Sequence, residues 1–242
     1  MFDLIEMLGA VGVSILPFYI GLLFLIKEEW LQRNHSIIYP LSLGMVIFFM
    51  IDSFRDSADL GGDARVYQGG LILLPFLAFI LILVFWKKST VKSTGLAYPL
   101  ALALSLHTAG ESSEIVVLFQ AISINQLLSN YIPGFIGFFG HKIIEGFILA
   151  FLLSGIEGGK TNKYLKAAFL ILIVSFFGAF TAISSLLTSV YLFSAGTAGE
   201  LFLIAYLVES RDNTLAKTAK FYIYLLIGFL TIYLLGYLHS IA

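Results

Sequence analysis

The feature that most restricts this chain is how little of it lies outside long apolar runs. A helix needs about 20 apolar residues to cross a hydrocarbon core at roughly 1.5 Å per residue, and such runs recur from Leu4 to Tyr237 with short polar joints between them. Charged residues make up 12% of the 242 positions, against roughly a quarter in soluble domains, and the mean hydropathy is +0.96. The chain reads as an all-α integral membrane protein, one transmembrane domain over residues 1–242, with no soluble domain of useful size. Its net charge of −1 argues against a nucleic-acid partner. Cysteine is absent, which removes disulfides, thiolate metal sites and thiol nucleophiles together and leaves imidazole, carboxylate and neutral oxygen as metal ligands. The start, MFDLIE, has no basic region of the kind that precedes a cleaved signal sequence, so the first helix is expected to be retained.

Eight spans are expected: about Leu4–Ile26, Ile37–Phe54, Val66–Trp86, Gly95–Phe119, Gly134–Ser154, Tyr164–Ser189, Tyr191–Val208 and Phe221–Tyr237. Pro17 and Pro75 should bend the first and third, because proline has no N–H to donate. Trp30 and Tyr39 read as interfacial anchors around a polar turn that holds a solvated His35. Arg55, Asp56, Asp59 and Asp63 read as an acidic loop, either a solvated turn in which Asp56 caps or pairs with Arg55 or a cation-attracting vestibule. The stretch from Gln120 to Tyr131 is polar enough for an external loop or a surface helix. Gly134, Gly137 and Gly140 recur every third residue, a row suited to close helix packing.

Basic residues concentrate on cytoplasmic loops, and here they alternate. Lys27 and Arg33; Lys87, Lys88 and Lys92; Lys160, Lys163 and Lys166; and Arg211, Lys217 and Lys220 follow the odd-numbered spans, whereas the other side has only Arg55 and Arg65. Both termini are therefore expected on the non-cytoplasmic side of a cytoplasmic or plasma membrane. Lys142 lies within the fifth span.

Chemistry concentrates in two runs on consecutive spans. His107-Thr-Ala-Gly-Glu111 and His141-Lys-Ile-Ile-Glu145 each set a histidine and a carboxylate four residues apart, on one helical face. An ionisable group at mid-membrane costs about 2.5–3.5 kcal/mol on insertion scales, so these groups need compensation. Two nitrogen and two oxygen ligands suit a borderline divalent cation such as zinc, ferrous iron or manganese. A buried ion network with Lys142 would account for the same residues structurally. Asp52, Glu114 and Glu200 are candidates for relaying the ion or protons, or for paired structural carboxylates.

At these residues the sequence resembles the ZIP (Zrt/Irt-like) family of divalent metal transporters. That family carries His-Asn/Ser-x-x-Glu/Asp-Gly on its fourth helix and His/Gln-x-x-x-Glu-Gly on its fifth; this chain reads HTAGES and HKIIEG at the same two helices. The small-residue run SAGTAG of the seventh span agrees too. The resemblance implies eight helices in a 3+2+3 arrangement, with the first three related to the last three by inversion. It also implies alternating access, and a transport site made by His107, Glu111, His141 and Glu145. Family members often hold a second ion with the residue after each histidine and an acid on helix six; here those positions are Thr108, Lys142 and Thr181. An ammonium about 4 Å from a cation opposes binding by several kcal/mol at intermediate dielectric, so one ion is expected. Ser112 replaces the glycine that follows the helix-four acid, and Gly110 stands where some members have proline.

The expected function is transport of a divalent transition metal, zinc foremost, with iron, manganese and cadmium as further substrates and no organic cofactor. Membrane lipids and the ion are the expected partners, with a homodimer as a further expectation. The rival is an intramembrane zinc-dependent hydrolase. That chemistry needs an open metal position for water and a general base, often in a His-Glu-x-x-His pattern, which this sequence lacks.

Overall fold

The computed structural model describes residues 4–63, 69–89, 96–121, 132–182, 186–209 and 218–240. The chain forms α1 (Leu4–Leu22), a 3-10 turn (Leu23–Lys27), α2 (Glu28–Arg33), α3 (His35–Asp63), α4 (Gly69–Ser89), α5 (Ala97–Ala121), α6 (Ile132–Ser154), α7 (Lys160–Ala182), α8 (Leu186–Glu209) and α9 (Ala219–Ser240). Among the described residues there is no strand, and six stretches are long and apolar enough to cross a membrane: Val11–Arg33, His35–Asp59, Gly134–Ser154, Lys160–Thr181, Leu187–Glu209 and Ala219–Tyr237. The remaining long helices are α4, with 21 residues, and α5, with 25; α5 is made less apolar by His107, Glu111, Glu114 and its serines. Large apolar side chains such as Leu16, Phe85, Phe169 and Phe180 point outward, the pattern of a multi-pass protein whose solvent is lipid.

Helix α5 sits in the interior, packed mainly on α7 and α8, while α3 lies on α8 and α9 and α1 lies on α6. Glycines set these approaches. A Cβ on Gly21 would meet the Ile143 carbonyl oxygen at 1.9 Å, and one on Gly146 would meet that of Phe18 at 2.0 Å, so α1 and α6 interlock reciprocally. Gly44 and Gly228 do the same for α3 and α9, against the carbonyls of Leu225 and Leu41. Of the expected row on α6, Gly134 and Gly137 are buried, and Gly140 faces the Leu235 side chain.

One end of the bundle is cross-linked by basic and aromatic groups. Lys163 Nζ donates to Glu28 Oε1 at 2.6 Å and to the Ile156 carbonyl at 2.7 Å. Lys87 pairs with Glu209, Lys166 lies over the Tyr98 ring, and Gln32 donates to Ser154 Oγ at 2.6 Å. Trp30 is exposed there as an interfacial residue would be, but Tyr39 is buried and donates its hydroxyl to the Leu207 carbonyl at 2.8 Å. His35 is half-buried rather than solvated, and its ring packs on Tyr39 and Phe151.

Several expected boundaries move. Pro17 and Pro75 both lie inside helices, and in the first span regular α-helix gives way to a 3-10 turn at Leu23–Lys27. The supposed acidic loop is helical: α3 continues through Arg55, Asp56 and Asp59 to Asp63. No proline interrupts the stretch, and Arg55 meets Asp59 one turn on at 3.4 Å, so polarity is compatible with helix here. The sixth span was drawn to Ser189, but α7 ends at Ala182, and Thr188 and Ser189 belong to α8. Residues 122–131, most of the expected external loop, lie outside the described residues, as do Arg65, Lys92, Arg211 and Lys217.

Candidate metal centre

His107 follows ten residues of α5 and His141 follows nine of α6. At about 1.5 Å per residue each lies roughly 15 Å from its helix start, half the thickness of a hydrocarbon core. Each histidine has its glutamate one turn further on, and the two pairs face each other. His107 Nε2 lies 3.3 Å from Glu111 Oε1 and 3.3 Å from Glu145 Oε1. His141 Nε2 lies 3.6 Å from Glu111 Oε1 and 3.0 Å from Glu145 Oε1.

These four atoms form a closed ring alternating N and O, all within 4.8 Å of one another. Ligands about 2.0–2.1 Å from a tetrahedral zinc stand ~3.3–3.4 Å apart, the scale of the four edges observed. Both Nε2 atoms are buried and make no hydrogen bond of acceptable geometry. Buried polar atoms are normally paired, so two unpaired imidazole nitrogens facing two carboxylate oxygens are what a cation site offers. The four residues can hold a metal ion.

The second layer differs on each side. Phe49 of α3, fully buried, stacks on the His141 ring at 4.6 Å between centroids and lies 5.5 Å from that of His107, closing the site with an apolar lid. Behind His107, its Nδ1 lies 2.7 Å from Glu200 Oε1 and 2.6 Å from Ser53 Oγ, and Ser53 donates to Glu200 at 3.0 Å. Lys142 is wholly buried between the two acids: it pairs with Glu111 and donates to both Glu145 oxygens at 2.8 Å. Thr108 donates to Glu145 Oε2 at 3.2 Å and lies 3.5 Å from the ammonium.

The structure thus brings together His107, Glu111, His141, Glu145, Thr108, Lys142 and Glu200. It separates the others. Thr181 bonds the carbonyls of Phe177 and Gly178 on its own helix. Glu114 is exposed and Asp52 half-buried; with Asp56 they form a mutually repelling acidic patch. On α3 it is Ser53, one position from Asp52, that reaches His107, because one residue is about 100° of helix. Sequence reasoning missed Ser53 and Phe49, whose only signal was their spacing of four on a helix facing the site. Ser112, where a glycine was the family expectation, bonds the Thr108 carbonyl at 2.8 Å.

Comparison with protein-family models, with curated proteins and with solved structures finds no match for this chain.

Proposed function

We propose that the chain carries divalent transition-metal cations across a membrane, zinc foremost and iron, manganese or cadmium as alternatives, through one ion site made by His107, Glu111, His141 and Glu145. The observation that carries the reading is the buried N/O ring at half the depth of an apolar helical bundle. Formal charge supports a single divalent ion. Glu111, Glu145 and Glu200 bring three negative charges, Lys142 returns one positive, and the remaining −2 matches one dication. A second dication would leave an uncompensated buried charge of +2, which is costly. Imidazole and carboxylate without thiolate bind such ions firmly enough to select them and loosely enough to release them. Four protein ligands also fill a tetrahedral shell, leaving no place for the water that a zinc hydrolase activates.

Membership of the ZIP family, eight spans and alternating access belong to the same proposal. Helices α4 and α5 have the length to complete eight crossings. The packing supports an inverted relation, since α1 lies on α6 as α7 lies on α5, and α9 lies on α3 as α4 lies on α8. Such a relation places a mid-depth site between the repeats, reached from either side by movement of one bundle against another. The proposed orientation sets the Lys/Arg-rich end in the cytoplasm and both termini outside.

The test is uptake of zinc, manganese, iron and cadmium into proteoliposomes. Wild type is expected to show saturable flux that His107→Ala and Glu145→Ala abolish; wild-type flux in both variants overturns the site. Lipid or peptide hydrolysis without ion flux would favour the enzyme instead.

A further inference from the structure

Of the two readings of Glu200, a relay for ion or protons or a paired carboxylate, its position favours the second: it stands on the far side of His107, against the ring nitrogen that faces away from the other ligands. Its approach is built by small residues. A Cβ on Gly196 would sit 3.0 Å from the His107 Cα, and one on Gly199 would sit 2.2 Å from the Ala103 carbonyl oxygen, so the close seat of α8 on α5 needs glycine at 199 and leaves little room at 196. Glu200 follows Gly199 and lies one turn beyond Gly196, which sets its carboxylate beside the imidazole. Glu200 and Ser53 are both fully buried.

We propose that Glu200, with Ser53, is a positioning residue that fixes His107 as the Nδ1–H tautomer and so frees its Nε2 lone pair for the ion; this rests on reading the His/Glu ring as an ion site. Counting hydrogens leads there. Nδ1, Ser53 Oγ and Glu200 Oε1 form a triangle with edges of 2.6, 2.7 and 3.0 Å. An ionised carboxylate only accepts, and a hydroxyl has one hydrogen to give. Were Nδ1 a bare lone pair, that hydrogen could serve one edge, and another would set lone pair against lone pair. With hydrogen on Nδ1, the imidazole donates to Glu200 and Ser53 Oγ, while Ser53 donates to Glu200. Nε2, which points into the ring of ligands, is left to give its lone pair to the ion. A carboxylate behind a metal-bound histidine orients the ring and raises its basicity, and removing such a partner costs about 10- to 100-fold in metal affinity.

The experiment uses the full chain in lipid nanodiscs with 15N-labelled histidine, the His107 signal being identified by its loss in His107→Gln. Metal-free wild type is expected to show a hydrogen on His107 Nδ1. Zinc affinity is expected to fall about 10- to 100-fold in Glu200→Leu, with the tautomer becoming mixed. Glu200→Gln keeps an amide oxygen that can accept from Nδ1–H, and is expected to retain the tautomer and most of the affinity. Thr231→Val, whose hydroxyl bonds only the Ile227 carbonyl of its own helix among the contacts seen, is the control.

A bare Nδ1 in wild type overturns the proposal, as does wild-type zinc affinity in Glu200→Leu. The wild-type spectrum decides the matter even where that variant fails to fold. If wild type binds no divalent ion, the transport reading fails, while the spectrum still tests the tautomer.

Discussion

The two His-x-x-x-Glu runs have the same spacing and contribute to the same ring, yet they are supported by different physics. The α5 histidine is held by polar groups: Glu200 and Ser53 grip its Nδ1. The α6 histidine is held by a face, stacked under Phe49. The acids differ in the same way. Glu145 is fully buried with Lys142, Thr108 and both histidines around it, whereas Glu111 keeps a little exposure and shares the same ammonium. Equal motifs do not imply equal roles: the neighbours decide which group is costly to lose.

The sharpest way to break that comparison is to remove the acids in turn. Glu145→Ala deprives buried Lys142 of two hydrogen bonds and is expected to destabilise the protein by about 3–5 kcal/mol, as breaking a buried ion pair does. Glu111→Ala leaves both of those bonds in place and should cost less. Thermal unfolding in detergent reads the difference, and an equal or reversed order would undo the distinction.

Removing the histidines comes next. His107→Ala strands the Glu200 carboxylate with Ser53 as its remaining partner seen here, a desolvation penalty of about 1–3 kcal/mol that His141→Ala avoids. Both variants should lose zinc binding by calorimetry, but His107→Ala should unfold first. Ser53→Ala removes one neutral donor and should cost about 1 kcal/mol. At the acidic end, Arg55→Ala breaks an exposed i,i+4 pair and should shift stability by no more than about 0.5 kcal/mol.

Lys142 tests the comparison in another currency, ion stoichiometry. Wild type is expected to bind one manganese or zinc ion per chain by elemental analysis. Lys142→Asn, which restores a neutral oxygen where the ammonium sits, is expected to raise that number towards two. Two ions per wild-type chain would remove the ammonium from its role as a substitute cation.

The long helices and the four ring residues were legible because both depend on local pattern: apolar run length, and a spacing of four that any helix converts into a shared face. What lay outside local pattern was not. Ser53 and Phe49 matter because α3, seated on α8 and α9, reaches the two histidines with these side chains, and no residue of α3 announces those neighbours. Asp52 drew attention as the more ionisable side chain, although helical phase delivers Ser53. Polarity also misled at helix ends, where α3 continues through four charged residues, and where Thr181 lies on α7 but Thr188 and Ser189 on α8.

The glycine contacts carry one more consequence. Helix α5 is seated against α7 and α8 through Gly178, Gly196 and Gly199, and α6 against α1 through Gly21 and Gly146, while α5 and α6 touch each other only sparsely. The opening between the two ligand pairs is therefore set like the jaws of a calliper, by what each helix leans on. A Cβ on Gly178 would lie 2.4 Å from the Ala109 carbonyl oxygen, two residues from His107 and Glu111, and close-packed interiors transmit such a displacement. Ionic radius, and with it the preference among chemically similar dications, is then a property of helix spacing. Gly178→Ala, touching no ligand, should alter which ion the ring prefers.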